Sequence, residues 1–306
     1  LRLTSKTRWT YILPTLCALL AACTEPAPVN KHVPVTKLST GVYTIDKDHV
    51  QLAIAPMNER AQFESLLAAA NNGEANHGEV FDGLWIVSLS HEHFEPFLIG
   101  EPGDGISPAT AISTPSTALV IGSGFVSELH SLQPVGLLQK QGVTLNPILE
   151  HGYTRILGIN DQGMGVVHRL DYQRNLFDSA IQAGPGIVER GSLDIAERDL
   201  ARPKYFRSFV ALCEDRWLAG VSLKPTNLRT VGTSLITYFE NKALSCDEVV
   251  NLAGDREAFL AVDVDRTFGA TITHEKTSSA SLRRVLIHGE PLAHKVSMLG
   301  FRPISD

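Results

Sequence analysis

Asp255, Arg256 and Glu257 crowd onto one short segment, AGDRE, set between the largely apolar runs VVNL and AFLAV. Gly-Asp between hydrophobic runs is turn chemistry. A carboxylate carried there can also activate water or attack an electrophilic carbon. Arg207 opens a separate apolar run and offers a planar fork suited to bidentate contact with phosphate. Gln182, two residues before Gly184, is a neutral donor. His91 and His93 alternate, which in a strand puts both rings on one face, a start for a metal site. No third ligand lies nearby and Glu92 would face away, so the pair reads as a polar hairpin rim and no metal is expected. Ser123 sits between Gly122 and Gly124 but lacks the G-x-S-x-G elbow of a serine nucleophile. GMGVVH lacks the third glycine and following helix of a dinucleotide fingerprint, and no P-loop or H-E-x-x-H occurs.

The elements that must position these groups are mostly short strands. GLWIVSLS and FEPFLIG read as a strand pair around a polar connection. PVGLLQKQGVTLNP reads as a hairpin turning at Lys140-Gln141-Gly142, and TRILGINDQGMGVVHRL as another turning at residues 160–163. SAIQAGPGIVERGSL is a strand stopped by Gly-Pro-Gly, followed by a turn at Arg190-Gly191. RSFVALCEDRWLAGVSL turns at Glu214-Asp215-Arg216. Helical spacing is confined to residues 61–72 and to residues 230–244, where Leu235, Tyr238, Phe239 and Leu244 share a face and Thr233 or Ser234 would cap. Residues 101–116 are rich in turn formers and read as a long loop. The expected fold class is α+β: a single domain of β-hairpins and mixed sheet with a few helices. It spans residues 39–306, with 290–306 left unassigned.

The N-terminus is of another kind. Arg2, Lys6 and Arg8 precede an apolar run over residues 9–20, and small residues lead to Leu20-Ala21-Ala22-Cys23. The run is shorter than the roughly 20 residues that span a bilayer. Residues 1–22 therefore read as a signal peptide. The exit resembles the lipobox of bacterial lipoproteins, which implies lipidation at Cys23 and a membrane tie through that lipid. Residues 23–38, proline-rich and without hydrophobic periodicity, read as an extended tether. Thr24 rather than aspartate after the cysteine implies an outer-membrane protein facing the periplasm of the bacterial envelope. Removing the leader takes away three cations and no acid, so the charge of −6 becomes more negative. That balance excludes nucleic acid as a partner. In an oxidising compartment Cys213 and Cys246 either form a disulfide or stay as buried thiols.

Several stretches end their strands in glycines or charged turns: GSGF with PVGLL, AIQAGPGIVERG, RSFVAL, and SCDEVVNLAGD. In order and spacing, over residues 84–262, they resemble the phosphodiester glycosidase family. The matching positions are Gly124-Phe125, Pro134 to Leu138, Gln182 to Pro185 with Gly191, Arg207 to Val210, and Ser245-Cys246. The resemblance implies hydrolysis of a sugar-1-phosphodiester in glycan or lipid-linked sugar, a carbohydrate or sugar-phosphate ligand, and no cofactor. It implies Arg207, Asp255 and Glu257 as catalytic groups and Gln182, Gly184, Gly124 and Gly254 as substrate contacts. Three departures stand out. Gly122 replaces the family's asparagine, Ala253-Gly254-Asp255 replaces Asp-Gly-Gly, and Glu257 replaces serine. The alternative implied by those losses is an inactive member that keeps the cleft to bind glycan or a protein partner.

Overall fold

The computed structural model describes residues 39–45, 55–56, 77–100, 102–127, 132–268 and 283–304. All belong to one unit, Lys37–Asp306. The leader, the whole tether with Cys23, and the helical pattern at 61–72 lie outside the described residues.

Two seven-stranded sheets and one five-stranded sheet carry most of the chain. Every ladder among the described residues is antiparallel, so the mixed-sheet expectation narrows to antiparallel pairing. The first sheet holds the strands Leu119–Gly122, Leu260–Asp263, Arg283–Gly289, Ser297–Pro303 and Phe94–Gly100. The second holds Gly186–Glu189, Cys246–Gly254, Arg207–Cys213, Arg216–Ser222 and Leu84–Ser90. The third is built from Leu138–Lys140, Val143–Asn146, Arg155–Asn160, Gly163–His168 and Ser179–Ala183. One core joins all three, through Trp85, Val87, Leu119, Ile121, Leu157, Ile181, Val210, Leu252 and Leu299.

The outer faces of the two large sheets are covered by helices. Leu228–Lys242 lays Leu228, Val231, Leu235, Tyr238 and Phe239 on Ile86, Phe209, Leu218 and Val249. Five such side chains taken from water are worth roughly 10 kcal/mol together. The helix starts earlier than its spacing suggested. Asn227 Oδ1 accepts from the Thr230 N–H at 2.8 Å and is the N-cap. Thr233 instead donates to the Arg229 carbonyl one turn back, inside the helix. Pro108–Ser113, within the expected 101–116 loop, forms a short helix capped by Ser107 and covers the first sheet through Ala111 and Ile112.

The hairpins at 138–146, 155–168 and 207–222 form as their turn residues dictate. At the first of these, Gln141 and Gly142 both take positive φ, the geometry that matches strand twist in a two-residue turn. The expected pairing of Leu84–Ser90 with Phe94–Gly100 does not occur. The first pairs with Arg216–Ser222 in the second sheet and the other with Ser297–Pro303 in the first. The turn 91–93 thus carries the chain between sheets. Ser297–Pro303 lies between Leu119–Gly122 and Phe94–Gly100, so the unassigned C-terminus is an interior strand with Met298, Leu299 and Phe301 fully buried.

Cys213 and Cys246 sit opposite each other on neighbouring strands and form a disulfide across 33 residues. Closing a loop of that length removes about 4 kcal/mol of unfolded-chain entropy. Reduction is expected to lower the thermal midpoint by on the order of 10 °C. Paired melts with and without reductant, with Cys213→Ala/Cys246→Ala alongside, check this. An unchanged midpoint would show that the bridge contributes no net stability.

Candidate functional site

The motifs around Gly122–Gly124, Gly184, Arg207 and Gly254 come together where strands of the three sheets end, whereas Gly191 and Ser245-Cys246 lie at the opposite end of Cys246–Gly254. Ser208 Oγ donates to the Gly122 carbonyl at 2.8 Å, tying the second sheet to the first. The Gly124 N–H reaches the Leu252 carbonyl at 3.0 Å. Gly184 and Asn251 exchange bonds: the Gly184 N–H donates to the Asn251 carbonyl at 2.8 Å and Asn251 Nδ2 to the Gly184 carbonyl at 3.0 Å. Arg207 faces Gly254 across the ladder, and the Asp255 N–H closes on the Phe206 carbonyl at 2.9 Å.

Arg207 is half-buried and stacks its guanidinium over Tyr205 at 5.1 Å. Its backbone N–H is held by Ser222 Oγ at 2.9 Å, but its Nε is buried without a hydrogen-bond acceptor. Burial pulls the guanidinium below its ordinary pKa, while the charges of Asp199, Tyr205 and Asp255 act in the opposite sense. A Cβ at position 254 would sit 3.1 Å from Arg207 Nη1, so glycine there leaves the cation uncovered. A partly desolvated cation with donor capacity to spare is suited to an anion.

The two acids of the opening segment part company. Asp255 is exposed, at φ 53°, on a short turn over Asp255–Glu257, and its charge is felt at Arg207. Glu257 turns inward, where burial raises its pKa and Lys295 opposes the rise. Lys295 Nζ lies 3.5 Å from Glu257 Oε1 and also donates to the Arg256 carbonyl. Its side chain is only 2% exposed. Lys295 was not among the sequence candidates, because nothing in "AHKVSM" sets a buried lysine apart from a surface one.

Gly122 cannot carry the asparagine of the resembled motif, since any Cβ there collides with the Glu257 carbonyl oxygen. Gln182 is fully buried and fully engaged. Its Oε1 accepts from the Leu137 and Leu149 N–H groups at 3.1 and 2.8 Å. Its Nε2 donates to the Leu149 and Tyr153 carbonyls at 2.8 and 2.9 Å. All four positions of the amide are used within the protein, none on a ligand. Gly124 packs against Ile181 and Ser297, and Gly184 against the Thr154 and Arg155 backbone; both glycines are buried. Of the four expected substrate contacts, Gly254 alone is half-buried rather than buried. Besides Arg207 Nε, two buried atoms here lack hydrogen-bond partners among the described residues, Ser123 Oγ and Asn251 Oδ1. Asn251 reads in the sequence as one more interior residue of a strand.

His91 and His93 sit on a turn rather than a strand, and the His91 ring packs on Trp217 at 4.1 Å. No cluster of three or more metal-ligating side chains occurs among the described residues. Cavities of about 460 and 640 Å³ are lined by other residues, without Arg207, Asp255, Glu257 or Gln182.

No family model and no curated protein sequence matches the chain. Among solved structures, the catalytic domain of zebrafish N-acetylglucosamine-1-phosphodiester alpha-N-acetylglucosaminidase, auto-inhibited by its pro-peptide, aligns at a TM-score of 0.46 and 14% identity, over 85% of either chain. A hypothetical protein from Synechocystis aligns at a TM-score of 0.44 and 10% identity, over 75% of this chain and 61% of that one.

Proposed function

We propose that the site binds the phosphate of a sugar phosphodiester through Arg207 without hydrolysing it, in a lipoprotein held to the bacterial envelope through Cys23. One observation carries the reading: the Arg207 guanidinium is half-buried, and among the described residues it has no ion-pair partner within 4 Å and its buried Nε has no acceptor. Hydrolysis needs a carboxylate held against the anomeric carbon, and about 1 Å of misplacement costs roughly 100-fold in rate. Glu257 is committed to Lys295. Asp255 is exposed, and no side-chain hydrogen bond holds its carboxylate among the described residues. Its electrostatic reach to Arg207 favours one second reading, in which it serves as the base of a slow hydrolase.

The test is calorimetry and product analysis on a panel of sugar-1-phosphodiesters with the parent protein, Arg207→Gln and Asp255→Asn. Binding without turnover is expected. Arg207→Gln should weaken it at least about 10-fold, the worth of a charge-assisted bond. Failure of the parent to bind any of the panel ends the proposal. Turnover that disappears in Asp255→Asn replaces it with the hydrolase.

A further inference from the structure

A basic, partly apolar ledge adjoins Arg207, and the expected chemistry of its site does not use it. Every residue from 200 to 205, LARPKY, is exposed, with Leu200 at 55% and Tyr205 at 41%. The ledge is held rigidly from below. Asp199, buried at its root, accepts from the Arg229 N–H at 3.0 Å, and Arg229 Nη1 donates to the Ile195 carbonyl at 2.6 Å. Tyr205 exchanges two backbone hydrogen bonds with Thr226, at 3.0 and 2.8 Å. Its ring carries the Arg207 guanidinium, so ledge and site are continuous.

The charges on this surface are one-sided. Arg198, Arg202, Lys204 and Arg256 are exposed. Of the nearby acids, Asp199 is turned inward, while Glu197, 3.6 Å from Arg229, and Asp255 are exposed, so four exposed cations face two exposed acids. In a chain of net charge −6 such a surface stands out. Fixed cations flanking an exposed leucine and tyrosine match a phospholipid interface, where headgroup phosphates take the cations and the glycerol region takes the apolar side chains. An extended nucleic acid would meet the acidic remainder of the chain and offer no apolar phase to Leu200.

We infer that residues 200–205 dock on an anionic phospholipid surface and bring Arg207 level with its phosphates. The role of the ledge is independent of the sugar-phosphate reading, whereas the placing of Arg207 rests on it.

The mature chain from residue 24, which carries neither the apolar leader nor the lipid, is titrated with vesicles of phosphatidylglycerol and phosphatidylethanolamine and with phosphatidylcholine vesicles. Leu200→Ser/Arg202→Gln/Lys204→Gln in the same background should lower binding to the anionic vesicles by at least about 25-fold, from the two lost cations alone. Added salt should weaken the parent more than the triple variant. The emission gained in Tyr205→Trp should be quenched by brominated phospholipid tails. Equal vesicle binding by parent and triple variant, or an unquenched Trp at 205, overturns the inference. The two readings fail separately. If the triple variant loses vesicles while Arg207→Gln still binds soluble sugar phosphodiester as the parent does, the ledge stands and the sugar-phosphate site falls. If the triple variant keeps its vesicle binding and Arg207→Gln loses the soluble ligand, the ledge alone falls.

Discussion

Gly122→Asn, which restores the side chain of the resembled motif, is expected to destabilise the protein by more than about 4 kcal/mol and to confer no activity. The position ends the buried strand Leu119–Gly122 and is held on both sides: its N–H donates to the Phe259 carbonyl at 3.0 Å, and its carbonyl accepts from Ser208 at 2.8 Å. A new Cβ would meet the Glu257 carbonyl, a backbone atom with no rotamer in which to withdraw. That backbone cannot easily shift either, because Lys295 holds the adjoining Arg256 carbonyl and the Ala258 N–H is bonded to the Asp255 carbonyl. Losses of this size come from overpacking a site that cannot relax. Urea denaturation checks the expectation, with Gly142→Ala as control. Gly142, unlike Gly122, is at positive φ, but it has open space around it, so alanine should cost only about 1–2 kcal/mol there. Similar midpoints for the two variants would mean that the 255–258 segment does not pack on Gly122 as described.

Lys295→Met is the second large effect. It leaves the inward-facing Glu257 without its cation, a loss of about 3–5 kcal/mol for a broken buried pair. The pH dependence has a definite sign. Burial already raises the Glu257 pKa, and Lys295 is the foremost influence holding it down. In the variant the folded pKa rises further above the unfolded one. The folded chain then binds the extra proton, so stability falls as pH rises through the folded pKa and recovers on acidification below it. The variant should therefore be weakest at neutral to alkaline pH relative to the parent. Glu257→Gln/Lys295→Met should regain much of the stability, since removing both partners leaves no orphan charge. Thermal melts from pH 4 to 8 on the three proteins decide it. A pH-independent deficit in Lys295→Met, unrelieved in the double variant, would assign Lys295 a packing role only.

Much of the local architecture was legible because its cause is local. Gln141-Gly142 and Glu214-Asp215 make their turns with neighbours a few residues away, and the apolar spacing of Leu235, Tyr238 and Phe239 is a property of one helix. The disulfide stayed open in the sequence because it depends on two strands meeting. The misplaced pair, Leu84–Ser90 with Phe94–Gly100, shows the same limit. Both segments are apolar enough to sit in any buried sheet, and the partner of the second comes some two hundred residues later. Strand patterns specify which face is buried, not which strand lies alongside.

The candidate site divides in the same way. From the sequence alone came the group of segments that converge, with Arg207 and Gly254 among them, because glycines and a strand-opening arginine leave a mark in the residue types themselves. Only the tertiary structure decided what each polar group does there. Gln182 spends its amide on the backbone of residues 137, 149 and 153. Glu257 turns to Lys295, and Asp255 faces solvent beside Arg207. A carboxylate or an amide has the same chemistry in every sequence. Whether it serves a ligand or the fold depends on which buried partners, from distant parts of the chain, reach it first.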